Sequence, residues 1–119
     1  MDAPLAKVLV VDDDAALRLL CRVNLELEGF AVREAASVAE AEAALAAERP
    51  DVVLLDVHLG GEQTHDLLAR IRAEGIPVAL VTGSVDMNDY RDSADAMLAK
   101  PFVPQMLVET ARRLARVAP

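Results

Sequence analysis

Residues 7–14 read KVLVVDDD. Four apolar residues, three of them valine, arrive without the alternation of a half-solvated strand and stop abruptly on three carboxylates. This is the pattern of a short strand buried on both faces, whose carboxyl end delivers charge to a rim. The figure recurs: Asp51-Val-Val-Leu-Leu-Asp56 is a second apolar run ending on a carboxylate, and Pro77-Val-Ala-Leu-Val-Thr82 is a third, ending on a hydroxyl. Ala96-Met-Leu-Ala99 is shorter and leads into Lys100-Pro101-Phe102. Phe30-Ala-Val-Arg-Glu34 alternates like an edge strand.

Helical spacing fills the intervals. Leu17, Leu20, Cys21, Asn24 and Leu27 mark the inward face of a helix over 14–28, with Asp14 as its cap and Gly29 as a left-handed stop. Ser37-Val-Ala-Glu40 has the Ser-x-x-Glu spacing whose side chains satisfy free amides at a helix start, and an alanine-rich helix runs on to about Glu48, before Pro50. After Gly60-Gly-Glu-Gln63, residues 64–74 carry Leu67, Leu68 and Ile71 on one face and stop at Gly75. Residues 104–117 form a closing helix with Leu107, Ala111, Leu114 and Ala115 inward. The polar stretch 83–94 has room for one or two turns only. Strand and helix thus alternate five times, which predicts an α/β fold: a parallel sheet with helices on both faces and right-handed crossovers.

Length and charge bound the function. The 119 residues suit one domain, 1–119, and no linker or repeat divides them. Twelve Lys+Arg against twenty Asp+Glu give a net charge of −8, a field that repels phosphate backbones and anionic lipid head groups, so no direct nucleic acid and no membrane is expected as partner. A hydrophobic fraction of 54% excludes a disordered acidic tail, yet no apolar run approaches the roughly 20 residues of a membrane span. The N-terminus lacks a secretory pattern and Cys21 is the lone cysteine, which points to a cytoplasmic location.

In open parallel sheets the working site lies beyond the carboxyl ends of the strands. Asp12 and Asp13, Asp56, Thr82 and Lys100 all stand at such ends. Three carboxylates brought together repel, and a hard dication with oxygen ligands relieves them; magnesium, which binds through one or two carboxylates and a phosphate, fits best. A metal, a lysine and a hydroxyl side by side suit a phosphoryl group, and the central Asp56 is placed to be its nucleophile. Taken singly these residues have blander readings: Asp12 and Asp13 as helix caps, Asp56 as a loop cap, Lys100 as a surface lysine. His58 and His65 read as solvated loop residues, Cys21 as packing, and Arg112, Arg113 and Arg116 as a solvated helix face.

VLVVDDD, VVLLD, ALVTG and LAKPF, in this order at these strand ends, resemble the receiver domain of two-component response regulators over nearly the whole chain. The resemblance implies a flavodoxin-like, doubly wound five-stranded sheet of order 2-1-3-4-5. It implies that Asp56 is the phosphoacceptor, that Asp13 and Asp56 bind Mg2+ through carboxylates and Asp12 through water, and that His58 contributes its backbone carbonyl. Thr82 and Lys100 are implied as phosphoryl contacts, with a cis Lys100-Pro101 peptide between the last strand and helix. The implied partners are a histidine kinase or phosphotransfer protein upstream, and a downstream protein target or fused effector. Such a domain catalyses its own phosphoryl uptake and hydrolysis but is not an enzyme acting on an external substrate.

Several positions depart from the common pattern. Gly60 stands where most receivers have proline, and LDVHLGGE with IPVALVTGS is similar to a subclass bearing a Pro-Phe-x-Phe-Ala-Thr-Gly motif, although Val78, Leu80 and Val81 replace its Phe, Phe and Ala. Met97 occupies the usual aromatic position three residues before the lysine, and the short Thr82–Lys100 interval predicts a shortened fourth helix. Two alternatives remain at this level: a receiver-like interaction module that works without phosphorylation, and a small aspartate-nucleophile phosphatase, against which His58 stands where a second acid is usual.

Overall fold

The computed structural model describes residues 6–59, 64–83 and 94–117. In chain order these form β1 (Lys7–Val11), α1 (Ala15–Leu27), β2 (Ala31–Ala35), α2 (Val38–Ala47), β3 (Val52–Asp56), α3 (His65–Ala73), β4 (Val78–Thr82), β5 (Ala96–Ala99) and the closing helix α4 (Pro104–Val117). All strand pairs are parallel and the sheet order is β2-β1-β3-β4-β5, as the resemblance implied. The expected short helix within 83–94 falls outside the described residues.

The pleat divides the core in two. Side chains alternate across a strand, so Val8 and Val10 of β1 join Leu54, Ala79 and Leu98 on the face covered by α1 and α4. Leu9, Val11, Val53, Leu55 and Leu80 lie on the other, under Ala41 and Leu45 of α2 and Leu67, Leu68 and Ile71 of α3. Central β3 is buried along its whole length, whereas edge β2 exposes Arg33. This two-sided burial is why the strands read as continuous apolar runs. No helix among the described residues is long and apolar enough to cross a membrane.

The helix ends follow their sequence signals. The Asp14 carboxylate accepts the Ala16 and Leu17 N–H groups at 2.9 and 3.3 Å, and Gly29 and Gly75 take positive φ after α1 and α3. Ser37 Oγ accepts the Glu40 N–H at 3.1 Å, while the Glu40 carboxylate reaches past Ser37 to the Ala36 N–H at 2.8 Å. One expectation is corrected. The inward stripe of α1 is Leu17, Cys21 and Leu25, an i, i+4, i+8 row, rather than the set containing Leu20 and Leu27. Leu25 is fully buried and Leu27 is 77% exposed. Truncating Leu25 to alanine is expected to cost about 2–5 kcal/mol, the range for a leucine emptied from a packed core.

Candidate functional site

Four strands end at one rim. Asp56 is the last residue of β3 and Thr82 the last of β4; Asp12 and Lys100 directly follow β1 and β5. Backbone bonds hold these ends in step: the Asp12 N–H donates to the Ala35 carbonyl at 3.0 Å, Val57 to Val81 at 3.2 Å, and Lys100 to Thr82 at 2.8 Å. Parallel register therefore places side chains more than forty residues apart in sequence at one height above the sheet, and the Lys100-Pro101 peptide beside them is cis.

Asp12, Asp13 and Asp56 each offer one carboxylate oxygen, and the three oxygens lie within 4.8 Å of one another. Lys100 Nζ stands 3.5 Å from Asp12 Oδ2 and 3.6 Å from Asp56 Oδ1. Asp12 and Asp56 are each 3% exposed and Thr82 1%, while Asp13 faces solvent. Asp12 Oδ1 accepts the Asp14 N–H at 2.9 Å, and Asp56 Oδ1 accepts the His58 N–H at 3.1 Å. The Thr82 hydroxyl donates to the Gly83 carbonyl at 3.0 Å.

One ammonium pairs with the two buried carboxylates, and a third carboxylate stands beside them at the surface. Burial pushes the Asp12 carboxyl above its ordinary value of 3.8; the Asp14 N–H works against this, the Asp56 charge adds to it, and Lys100 opposes it. The donor set is all oxygen and its charge is under-compensated, which fits a hard dication such as magnesium and not a soft thiophile. Asp12, Asp13, Asp56 and Lys100 are thus brought together, and Thr82 ends the neighbouring strand, where its carbonyl accepts the Lys100 N–H. For His58 the described contact is its N–H to Asp56, and its imidazole is exposed. His65, at the start of α3, is likewise exposed.

Cys21 behaves as packing. Burial, and next the nearby Asp12 charge, push its thiol up to about 12, so it stays protonated inside the α1 face of the core. Met97 is half-buried on β5, in register with Leu80. Arg112 lies on an exposed part of α4, where it reaches Glu28 at the end of α1 at 2.8 Å.

Two supporting residues escaped the sequence reading. Buried Thr64 donates its hydroxyl to the Val57 carbonyl at 3.1 Å and thereby ties down the start of the loop after Asp56. Arg18 donates to the Asp12 carbonyl at 2.7 Å. Neither leaves a periodic signal; only the proximity of Arg18 to the acidic run hints at it.

Residues 8–112 match the family model of the response regulator receiver domain. The DNA-binding response regulator MtrA of Mycobacterium tuberculosis is 36% identical over 121 residues, covering 98% of this chain and 53% of its own length. The C4-dicarboxylate transport transcriptional regulatory protein DctD of Rhizobium meliloti is 38% identical over 112 residues, 89% of this chain and 24% of its own. The chain therefore spans about half, or less, of these curated relatives. Among solved structures, the receiver domain of NtrX from Brucella abortus superposes with a TM-score of 0.85 at 29% identity, covering 92% of this chain and 98% of that one. A CheY-like receiver domain from Methanospirillum hungatei gives 0.86 at 27% identity, covering 98% and 97%.

Proposed function

The chain belongs to the response regulator receiver domain family, and from that premise we propose that it accepts a phosphoryl group from a histidine kinase or phosphotransfer protein onto Asp56, in a magnesium-dependent reaction that switches a signalling output. The observation that carries the reading is the cluster of three carboxylates at the carboxyl rim, with oxygens within 4.8 Å of one another, two of which share one lysine. An incoming phosphoryl group adds negative charge there, so the pocket requires more cation than Lys100 supplies.

Asp12, Asp13 and Asp56, with the His58 carbonyl, are the residues that would hold the ion. Bound there, magnesium supplies positive charge against the phosphoryl oxygens. A carboxylate oxygen of Asp56 attacks phosphorus; the P–O bond forms as the donor's P–N bond breaks, and the departing imidazole keeps the electron pair and takes up a proton. Lys100 offsets charge on Asp56 and on the phosphoryl oxygens. Thr82 can donate to a phosphoryl oxygen only by giving up its bond to Gly83, which couples phosphorylation to the segment leaving β4. Water later cleaves the P–O bond and restores the carboxylate, so no external substrate is turned over.

The same proposal takes residues 1–119 as one receiver domain acting in the cytoplasm. MtrA is named as DNA-binding and is about twice as long; for this acidic chain the output is assigned to a downstream protein target or a fused effector, not to direct nucleic-acid contact. Assignment to the motif-bearing subclass rests on the loop after Asp56 and on Thr82-Gly83, and entails a kinase of the corresponding group. Incubation with magnesium and a small acyl phosphate tests the function. An acid-stable, base-labile adduct is expected on the parent and not on Asp56→Asn; a parent that takes up nothing overturns the proposal.

A further inference from the structure

Resting on the phosphoryl-accepting reading above, we propose that Arg18 is a positioning residue for the metal-binding carboxylates, acting through the Asp12 peptide and not on the ion itself. Arg18 sits in the first turn of α1, from which a long side chain points back toward the helix start. Its Nη1 donates to the Asp12 carbonyl at 2.7 Å, and its Nε pairs with Glu34 Oε1 at 3.1 Å. A guanidinium is a rigid planar fork. Anchoring one edge on Glu34 therefore fixes where the other edge holds the carbonyl.

Glu34 lies on β2 opposite Val10, and its second oxygen is taken by Arg22 Nη1 at 3.0 Å, so the anchor is itself braced. The Asp12 N–H is bonded to Ala35, the next residue of β2. Both polar groups of the Asp12 backbone are thus tied to consecutive residues of one strand, the N–H directly and the carbonyl through Arg18. Asp13 follows that carbonyl. Its exposed carboxylate is carried over the pocket by the plane of the 12–13 peptide, while repulsion from Asp12 and Asp56 drives it outward. The partly buried Arg18–Glu34 pair opposes that outward movement.

The test is magnesium affinity by calorimetric titration, with the Tm of each metal-free variant measured alongside. Removing an outer residue that orients ligands typically weakens metal binding about tenfold or more, and that loss is expected for Arg18→Ala. Arg18→Lys keeps the charge but not the fork; it should hold Tm closer to the parent while still binding magnesium several-fold more weakly. Glu34→Gln should give a smaller loss in the same direction. Arg22→Ala, which touches Glu34 but not Asp12, should bind within about twofold of the parent.

Arg18→Ala and Arg18→Lys both binding like the parent overturn the inference, as does a loss in Arg22→Ala equal to that in Arg18→Ala. Should Arg18→Ala fail to fold, Arg18→Lys and Glu34→Gln decide. A parent that binds no magnesium overturns the proposed function itself; a parent that binds well, with every folded Arg18 variant unaffected, overturns only the role of Arg18.

Discussion

The two rims of the sheet use the same residue types to opposite ends. At the amino-terminal rim, Lys7 meets Glu48 at 2.7 Å, Asp51 accepts the Lys7 N–H at 2.8 Å, and Arg72 lies 3.4 Å from Asp95. Each acid there has its own donor, and the pairs are exposed. The Lys7 hydrogen bond holds the Glu48 carboxyl below its ordinary value. At the carboxyl-terminal rim, three acids cluster, two of them share one lysine, and burial drives Asp12 the other way. Charge paired locally serves the fold, whereas negative charge left under-compensated at a partly buried rim calls for a cation the chain does not supply.

The largest effect that can break this contrast is chemical. Lys100→Met should lower phosphoryl uptake by roughly 100-fold or more, the usual cost of losing a charge that stabilises a transferring group, measured by adduct formation over time. Retention of the parent rate would mean that the ammonium, although 3.6 Å from Asp56, takes no part.

Next is stability. Asp12→Asn retains an oxygen for the Asp14 N–H but removes one repelling charge. Without magnesium it should raise Tm by a few degrees, on the order of 1 kcal/mol, while abolishing tight magnesium binding. The folded Asp12 carboxyl titrates above its unfolded value of 3.8. Its ionised form therefore costs stability in full at neutral pH, and the cost disappears as pH falls through the folded value. The gap in Tm between Asp12→Asn and the parent should be widest near neutrality and close on acidification; a gap that widens toward acid contradicts the assignment.

The smallest effect belongs to the amino-terminal rim. Glu48→Gln should shift Tm less than Asp12→Asn does, and downward, without touching magnesium binding or phosphoryl uptake, because an exposed pair contributes little. Its sign with pH is also reversed. A lowered Glu48 value contributes stability above the ordinary value of 4.5 and loses it as pH falls.

How much of this was legible in the sequence follows from what leaves a pattern. Runs buried on both faces announce strands, and a polar residue closing each run marks the rim, so Asp12, Asp13, Asp56, Thr82 and Lys100 could be read directly. The phase of α1 could not. That helix carries Leu17, Leu19, Leu20, Cys21, Val23, Leu25 and Leu27 around its circumference, and two stripes compete. Only packing against the sheet and α4 selects the one containing Leu25. Arg18 and Thr64 were missed for another reason: a side chain bonded to a backbone carbonyl makes a contact that depends on tertiary position and carries no period.

The proposal is that the under-compensated rim serves to load one side chain. It is tested most directly by phosphorylating the full chain with magnesium and a small acyl phosphate, trapping the adduct by borohydride reduction, and locating the modified residue by peptide mass spectrometry. Modification is expected at residue 56 and nowhere else, and is lost when magnesium is withheld. Label on His58, His65 or another acid, or label on Asp56 that is indifferent to magnesium, would contradict it.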